Sequence, residues 1–349
     1  MELIELKEKI YNLKEELKDK LIIAAHHYQN KDIVDIADFV GDSYMLAKKA
    51  SETTKENIVL CGVRFMAETA KIIARNNQKV FIPEINSLCP LAEKVNIDDL
   101  KNVYNFLKYR KNLDIVILTY VNSYVDIKSF TGEVGGSCCT SSNAEKIIKY
   151  YLNKNKKIIF VPDFYLASNT ANKIKNIKTK NIFIRNEFNL NEEEKYDEID
   201  LFLWNGFCPV HQVYSKEDII NFKEKYPDIK VVVHPESKVE VVSLADYSGS
   251  TEYIYNLIKN SEKGSIWAVG TESTFVNRIQ LENLDKKIFS LKESYCKNMQ
   301  KINLDKLYNL LLKIKDNNAN DYEIKIKEDD IKYSLKSLQN MIDIVEGRI

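Results

Sequence analysis

Short runs of β-branched and other apolar residues, each followed by a polar cluster and then a stretch of helical periodicity, recur along almost the whole chain. They are Leu21–Ala25, Ile58–Cys61, Val80–Pro83, Ile115–Tyr120, Ile158–Pro162, Asn181–Arg185, Leu201–Trp204, Val231–His234 and Ile266–Gly270. Runs that are apolar nearly throughout, rather than alternating, suit strands covered on both faces. The helical stretches between them supply the crossovers that parallel strands require. The pattern predicts an α/β protein with a parallel sheet in each domain. Three units accommodate it, residues 1–104, 105–192 and 193–290. A C-terminal segment, 291–349, follows with helical periodicity over Leu304–Ile314 and Ile331–Val345. The repeat lies in element order, since identity among the units is faint, and no low-complexity linker separates them.

Composition narrows the picture modestly. The 349 residues are 44% hydrophobic and 29% charged, as in a globular protein with a large core. Lys+Arg and Asp+Glu each total 51, a formal net charge of zero, which argues against a broad nucleic-acid-binding surface. No apolar run approaches the roughly 20 residues needed to cross a bilayer. The segment MELIELKEKIYNLKEELKDK, helical in pattern and mixed in charge, is unlike a secretory signal. Six cysteines in that context predict reduced thiols and a cytoplasmic protein.

Three cysteines, Cys89, Cys208 and Cys296, lie far apart in the chain, each just past a short apolar run: Lys79–Pro83, Leu201–Trp204 and Ile288–Leu291. No Cys-x-x-Cys pair occurs, which disfavours zinc-finger and thioredoxin-like sites. Thiolates from three distant segments are able to converge on one metal centre and leave a coordination position open for chemistry. Free cysteine is equally a common small core residue.

Polar candidates collect at the carboxyl ends of the runs, where open α/β sheets bind ligands. They are His26-His27-Tyr28-Gln29, Tyr120-Val121-Asn122-Ser123 and His234-Pro235-Glu236-Ser237. Ser43 reads either as the N-cap of the helix that follows or as a carboxylate-holding hydroxyl at its start. Ser137–Asn143 and Ser248-Gly249-Ser250-Thr251 likewise precede helices, and a glycine beside Ser-Thr suits phosphate. No G-x-G-x-x-G, P-loop or G-x-S-x-G signature is present.

Taken in order, these segments resemble the quinolinate synthase (NadA) family. The matching stretches are AHHYQNKDIVDIADFVGDS (25–43), CGVRFMAETAK (61–71), PEINSLCPLAEK (83–94), TYVNS (119–123), CCTSSNA (138–144), WNGFCPVH (204–211), HPE (234–236), ADYSGST (245–251), VGTE (269–272) and CKNMQ (296–300). The resemblance implies three pseudo-symmetric three-layer αβα domains, with small parallel sheets, around a central active-site cavity. It implies one [4Fe-4S] cluster held by Cys89, Cys208 and Cys296, its fourth iron open to substrate. Cys61, Cys138 and Cys139 fall in family motifs away from the ligand positions. The implied reaction condenses iminoaspartate with dihydroxyacetone phosphate to quinolinate in NAD biosynthesis, releasing phosphate and two waters, the imine supplied by an aspartate-oxidising enzyme. His26, Ser43, Ser141, Tyr120 and Asn122 suit two carboxylates. His234, Ser250 and Thr251 suit phosphate; Tyr28, Glu236 and His234 are the candidates for proton transfer, and His234 and Glu236 for substrate contact as well.

The chain departs from the family pattern in three places. Lys128–Gly136 is a few residues longer than usual and is expected to form a surface loop. Phe164 stands after Pro-Asp where a lysine is usual, and Trp204-Asn205-Gly206 replaces Trp-Pro-Gly. Two other readings share an open-iron cluster: an aconitase-like hydro-lyase, and a non-enzymatic sensor. A metal-free protein with buried cysteines is the third.

Overall fold

The computed structural model describes residues 3–184 and 187–349. The apolar runs form strands covered on both faces; Ile115–Tyr120, for example, is buried from end to end. Three fully parallel sheets result, flanked by helices in three-layer αβα arrangement. Across the first sheet lie Phe39–Gly41, Leu21–His26, Asn57–Cys61 and Lys79–Phe81. Across the third lie Tyr247–Ser248, Lys230–Val233, Ile266–Gly270 and Lys287–Ser290 in the same chain order. The second runs Ser137–Cys139, Ile115–Tyr120, Lys157–Val161, Leu201–Leu203 and Thr179–Asn181. In each, the chain enters at an inner strand, crosses to a short edge strand beside it, and returns to the inner strand's other side. Register brings the carboxyl ends level: His26 faces Gly41, Tyr120 faces Cys139, and Val233 faces both Ser248 and Gly270. Each unit therefore presents its polar strand ends on one edge.

Two expectations about organisation change. Leu201–Leu203, placed by sequence in the unit 193–290, pairs with Lys157–Val161 and Thr179–Asn181 in the second sheet. That strand is apolar and wholly buried, and the second sheet offers it partners on both sides. The run Asn181–Arg185 divides. Thr179–Asn181 ends as an edge strand, and Phe183–Ile184 pairs with Glu187–Phe188 in an antiparallel hairpin, while Arg185 lies outside the described residues. The edge strands Phe39–Gly41, Ser137–Cys139 and Tyr247–Ser248 left no apolar run to read, being only two or three residues long.

The C-terminal segment covers two of the units. Helix Leu304–Lys315 lies against the N-terminal helix Leu3–Leu17, its Leu307, Leu310 and Leu311 sharing a core with Leu6, Ile10 and Leu13. Helix Glu328–Glu346 adds Leu338, Met341 and Ile344 to the core of the second unit. Among the described residues, no helix is long and apolar enough to cross a membrane.

That last helix also corrects the reading of Lys128–Gly136 as a surface loop. Residues Val125–Glu133 form a helix packed under Glu328–Glu346, and Lys128 is completely buried. The contact is close because residue 132 is glycine: a Cβ there would stand 1.9 Å from the Tyr333 carbonyl oxygen. Lys128 Nζ donates to the Ser123 carbonyl and lies 5.4 Å from the Phe65 ring centroid. Burial lowers its pKa from the ordinary 10.5. The unfolded chain therefore holds this proton more tightly, and stability rises with pH between the depressed folded value and the ordinary one. Lys128→Met is expected to match the parent or exceed it by up to about 2 kcal/mol at neutral pH, since a packed apolar chain replaces a buried charge. Denaturant titrations between neutrality and pH ~10 check this: the parent's gain in stability on alkalinisation should shrink in the variant.

Candidate active site

The level strand ends of the three units line one cavity of about 70 Å³. Each unit contributes the same three parts. A strand end supplies His26 and Tyr28, Tyr120 and Asn122, or His234 and Glu236. The neighbouring edge strand runs into a helix whose start carries Ser43, Thr140 and Ser141, or Thr251. A tight turn supplies Cys89, Cys208 or Cys296.

The cysteine turns are alike in detail. Each cysteine stands three residues before the first residue of a short 3₁₀ helix: Ala92–Lys94, His211–Val213 and Met299–Lys301. That turn aims backbone N–H groups at the sulfur, from Leu91 and Ala92 at Cys89, Val210 at Cys208, and Asn298 and Met299 at Cys296. Burial pushes the Cys89 thiol up to about 12 and raises Cys208 and Cys296 too, each also feeling the charge of a neighbouring cysteine or carboxylate. As bare thiols they stay protonated, so a cation is what would make three thiolates tenable here. Zinc at about 2.3 Å from each sulfur would keep its ligand atoms within roughly 4 Å of one another. Among the described residues, the trio of candidate ligand atoms lying mutually within 4.8 Å is Cys208, His211 and Glu236, not the three cysteines. Sulfurs not all within 4.8 Å of one another do not fit the ligand shell of one zinc ion as they stand.

Beside the sulfurs lies a buried acid–base network. Glu236 accepts from the Tyr120 hydroxyl at 2.6 Å and from His211 Nδ1 at 3.0 Å. That bond places the His211 proton on Nδ1 and leaves Nε2 as an acceptor, 3.1 Å from Thr271 Oγ1 and 3.4 Å from the Tyr28 hydroxyl. The ring of His234 stacks on His211 with centroids 4.4 Å apart. Burial drives His234 down to about 3, so its imidazole is neutral at physiological pH. Burial opposes charge on Glu236 as well, but hydrogen bonds from His211 and the Tyr120 hydroxyl favour the carboxylate, which is held below the ordinary range. Asp163, buried and repelled by Glu236, is raised well above the carboxylate range and carries the proton of that pair. His26 Nδ1 accepts from the Tyr28 N–H at 3.1 Å, so its Nε2–H is free to donate into the cavity. Burial keeps this imidazole neutral and raises the Tyr28 hydroxyl well above 10, leaving it a proton donor.

Of the residues singled out from sequence, Cys89, Cys208, Cys296, His26, Tyr28, Ser43, Tyr120, Asn122, Ser141, His234, Glu236 and Thr251 line this cavity. Ser250 does not; it caps the helix behind them, accepting from the Tyr253 N–H at 3.3 Å. The N-cap role considered for Ser43 belongs to Asp42, whose side chain accepts from the Tyr44 and Met45 N–H groups. Ser43 sits one residue further on and lines the cavity. Asn122 Oδ1 is buried without a partner, so its side-chain amide is not tied down on that side by the protein. Sequence reasoning passed over His211, although the Cys-Pro-Val-His stretch that contains it was in view. The repeated three-residue step from each cysteine to its turn was the signal available. Thr140 lay within the stretch Ser137–Asn143 without being chosen individually; Asp42, Asp163 and Thr271 were also passed over, although Asp163 and Thr271 directly follow the runs Ile158–Pro162 and Ile266–Gly270. Phe164 opens the helix Phe164–Lys173 and packs on the second core, outside the cavity lining. Gly206 lets the Trp204-Asn205-Gly206 turn close on Pro162, where a Cβ would lie 2.3 Å from the carbonyl oxygen.

Comparison with known proteins gives the family. A family model described as Quinolinate synthetase A protein (NadA) matches residues 8–343. The chain belongs to that family. It is 40% identical over 345 residues to the quinolinate synthase of Staphylococcus carnosus (strain TM300), covering 97% of this chain and 94% of the relative. The quinolinate synthase of Listeria monocytogenes (strain EGD-e) is 39% identical over 346 residues, 98% of this chain and 94% of that one. That of Herpetosiphon aurantiacus is 40% identical over 298 residues, 84% and 80%. NadA proteins are enzymes, and the likeness spans all three units and much of the C-terminal segment.

Proposed function

We propose that the chain is a quinolinate synthase, condensing iminoaspartate with dihydroxyacetone phosphate and releasing phosphate and two waters as the pyridine ring closes. The observation that carries this is the convergence of Cys89, Cys208 and Cys296 on the cavity that also holds the carboxylate and phosphate donors. The three cysteines would hold a [4Fe-4S] cluster, whose iron without a protein ligand supplies Lewis-acid polarisation of a substrate oxygen when bound.

The remaining chemistry falls to side chains. His26 Nε2–H, Ser43, Ser141 and the Asn122 amide bind and orient the two carboxylates. Thr251, at the start of the capped helix Thr251–Lys259, receives phosphate with the positive end of the helix dipole behind it. His234 flanks it as a neutral donor. A carboxylate held below its ordinary range is a poor base at neutral pH, so Glu236 acts by orienting His211, whose Nε2 takes and returns protons. Tyr28, bonded to Thr271 and Thr251, delivers a hydroxyl proton on the same side. The unstable imine would come from an aspartate-oxidising enzyme, and its short life suits a shared cytoplasm.

Purification without oxygen, iron and sulfide analysis, and assay with iminoaspartate generated in situ plus dihydroxyacetone phosphate test the reading. About four irons per chain together with quinolinate formation is the expected result. Dehydratase activity without condensation would instead favour the aconitase-like reading, a cluster without turnover the sensor, and no iron the metal-free protein.

A further inference from the structure

His27 is the member of the His26-His27-Tyr28 strand end that turns away from the cavity, and no step described above uses it. Its side chain is buried and surrounded by residues of the third unit. The ring stacks on Tyr255, centroids 5.3 Å apart, and meets Phe275 edge-on at 5.5 Å. Arg278 Nη2 lies 2.9 Å from His27 Nδ1, and Glu252 Oε2 lies 2.9 Å from His27 Nε2.

Those two contacts assign the tautomer. A guanidinium only donates, so Nδ1 must accept, and the ring proton must sit on Nε2 and point at the Glu252 carboxylate. Arg278 is itself buried, held by Glu282 at 2.7 Å, with its Nε–H left unpartnered. A buried arginine tolerating an orphaned N–H so that it can address one histidine indicates that the histidine's orientation matters. Glu252 follows Thr251 directly, in the first turn of the same helix. A carboxylate beside a phosphate site is electrostatically adverse unless it serves another purpose there. From the opposite side Thr251 Oγ1 donates to the Tyr28 hydroxyl at 3.2 Å. Consecutive residues of one strand end in the first unit thus grip the start of one helix in the third.

We propose that His27 is a positioning residue for the phosphate half of the cavity, acting through Glu252 and Arg278 to fix where Thr251 and its helix N-terminus stand relative to His26 and Tyr28. The inference rests on the phosphate reading of that helix start.

The test uses full-length, anaerobically purified parent, His27→Leu and Glu252→Ala, with His27→Gln as the conservative change. Kinetic constants for both substrates, iron content, and the rise in melting temperature on adding inorganic phosphate are measured. Both disruptive variants should raise KM for dihydroxyacetone phosphate by about tenfold or more, because a misplaced binding group loses its contacts. KM for iminoaspartate and iron content should stay at parental values, the phosphate-induced thermal shift should vanish, and His27→Gln should recover part of the loss. Glu252 is partly exposed, so its variant tests the idea even if His27→Leu fails to fold. Tighter phosphate binding in Glu252→Ala would mean that the carboxylate merely repels the ligand, and the proposal falls. Equal losses for both substrates would reduce His27 to a general structural role and overturn it too. A parent protein unresponsive to phosphate would instead overturn the phosphate reading of the helix. A parent that binds phosphate but makes no quinolinate would overturn the reaction while leaving the positioning role to be decided by the thermal shift.

Discussion

Cys208→Ser protein, purified without oxygen, is expected to lack the intact cluster and to make no quinolinate, whereas Cys139→Ser protein keeps both. The contrast follows from position. Cys208 opens a tight turn on the cavity wall, with the Val210 N–H directed at its sulfur and Cys89 and Cys296 near enough to perturb its thiol. A serine hydroxyl there is a far weaker, harder ligand for iron than a thiolate. Cys139 ends an edge strand, pairs in register with Tyr120, and is wholly buried in the second core. Its thiol is pushed well up by burial and faces no other ligand set, so replacing sulfur by oxygen perturbs packing rather than cluster assembly. Iron and sulfide per chain, read with turnover, decide the matter. Equal iron loss in the two variants would falsify the ligand assignment.

Glu236→Gln should retain the cluster and lose activity by about 10²–10⁴ in kcat, the range for removing a proton-transfer group. The carboxylate serves two donors at once, Tyr120 and His211. An amide has one acceptor oxygen, so one of those donors loses its partner. If the amide nitrogen faces His211, Nδ1 must become the acceptor and the ring proton moves to Nε2, removing the lone pair that points toward Tyr28 and Thr271. The loss should therefore fall on kcat more than on either KM. A variant with parental kcat would show that Glu236 only packs the site, and the His211 role would go with it.

How far the site was readable from the chain depended on the kind of residue. His26, Tyr28, Tyr120, Asn122, His234 and Glu236 follow apolar runs directly, and a buried parallel strand delivers whatever follows it to the sheet's carboxyl edge. His211 gave no such cue, and Asp163, although it directly follows the run Ile158–Pro162, owes its importance to a partner contributed by another unit. Ser250 and Ser43 show the reverse: each hydroxyl at a helix start has a capping and a binding role, and only the backbone geometry distinguishes them. Lys128 illustrates a third failure, because a lysine in a Gly-rich stretch reads as solvent-exposed until a helix nearly two hundred residues later is seen to cover it.

By itself the chain determined that there are parallel strands, that their polar ends gather, and that three remote cysteines each follow a strand, because burial on both faces writes itself locally as an apolar run. Tertiary structure alone decided which sheet receives Leu201–Leu203, that His211 stands between Glu236 and Thr271, and that His27 docks into the third unit. Those outcomes depend on distances between segments far apart in sequence, and local patterning carries no record of such distances.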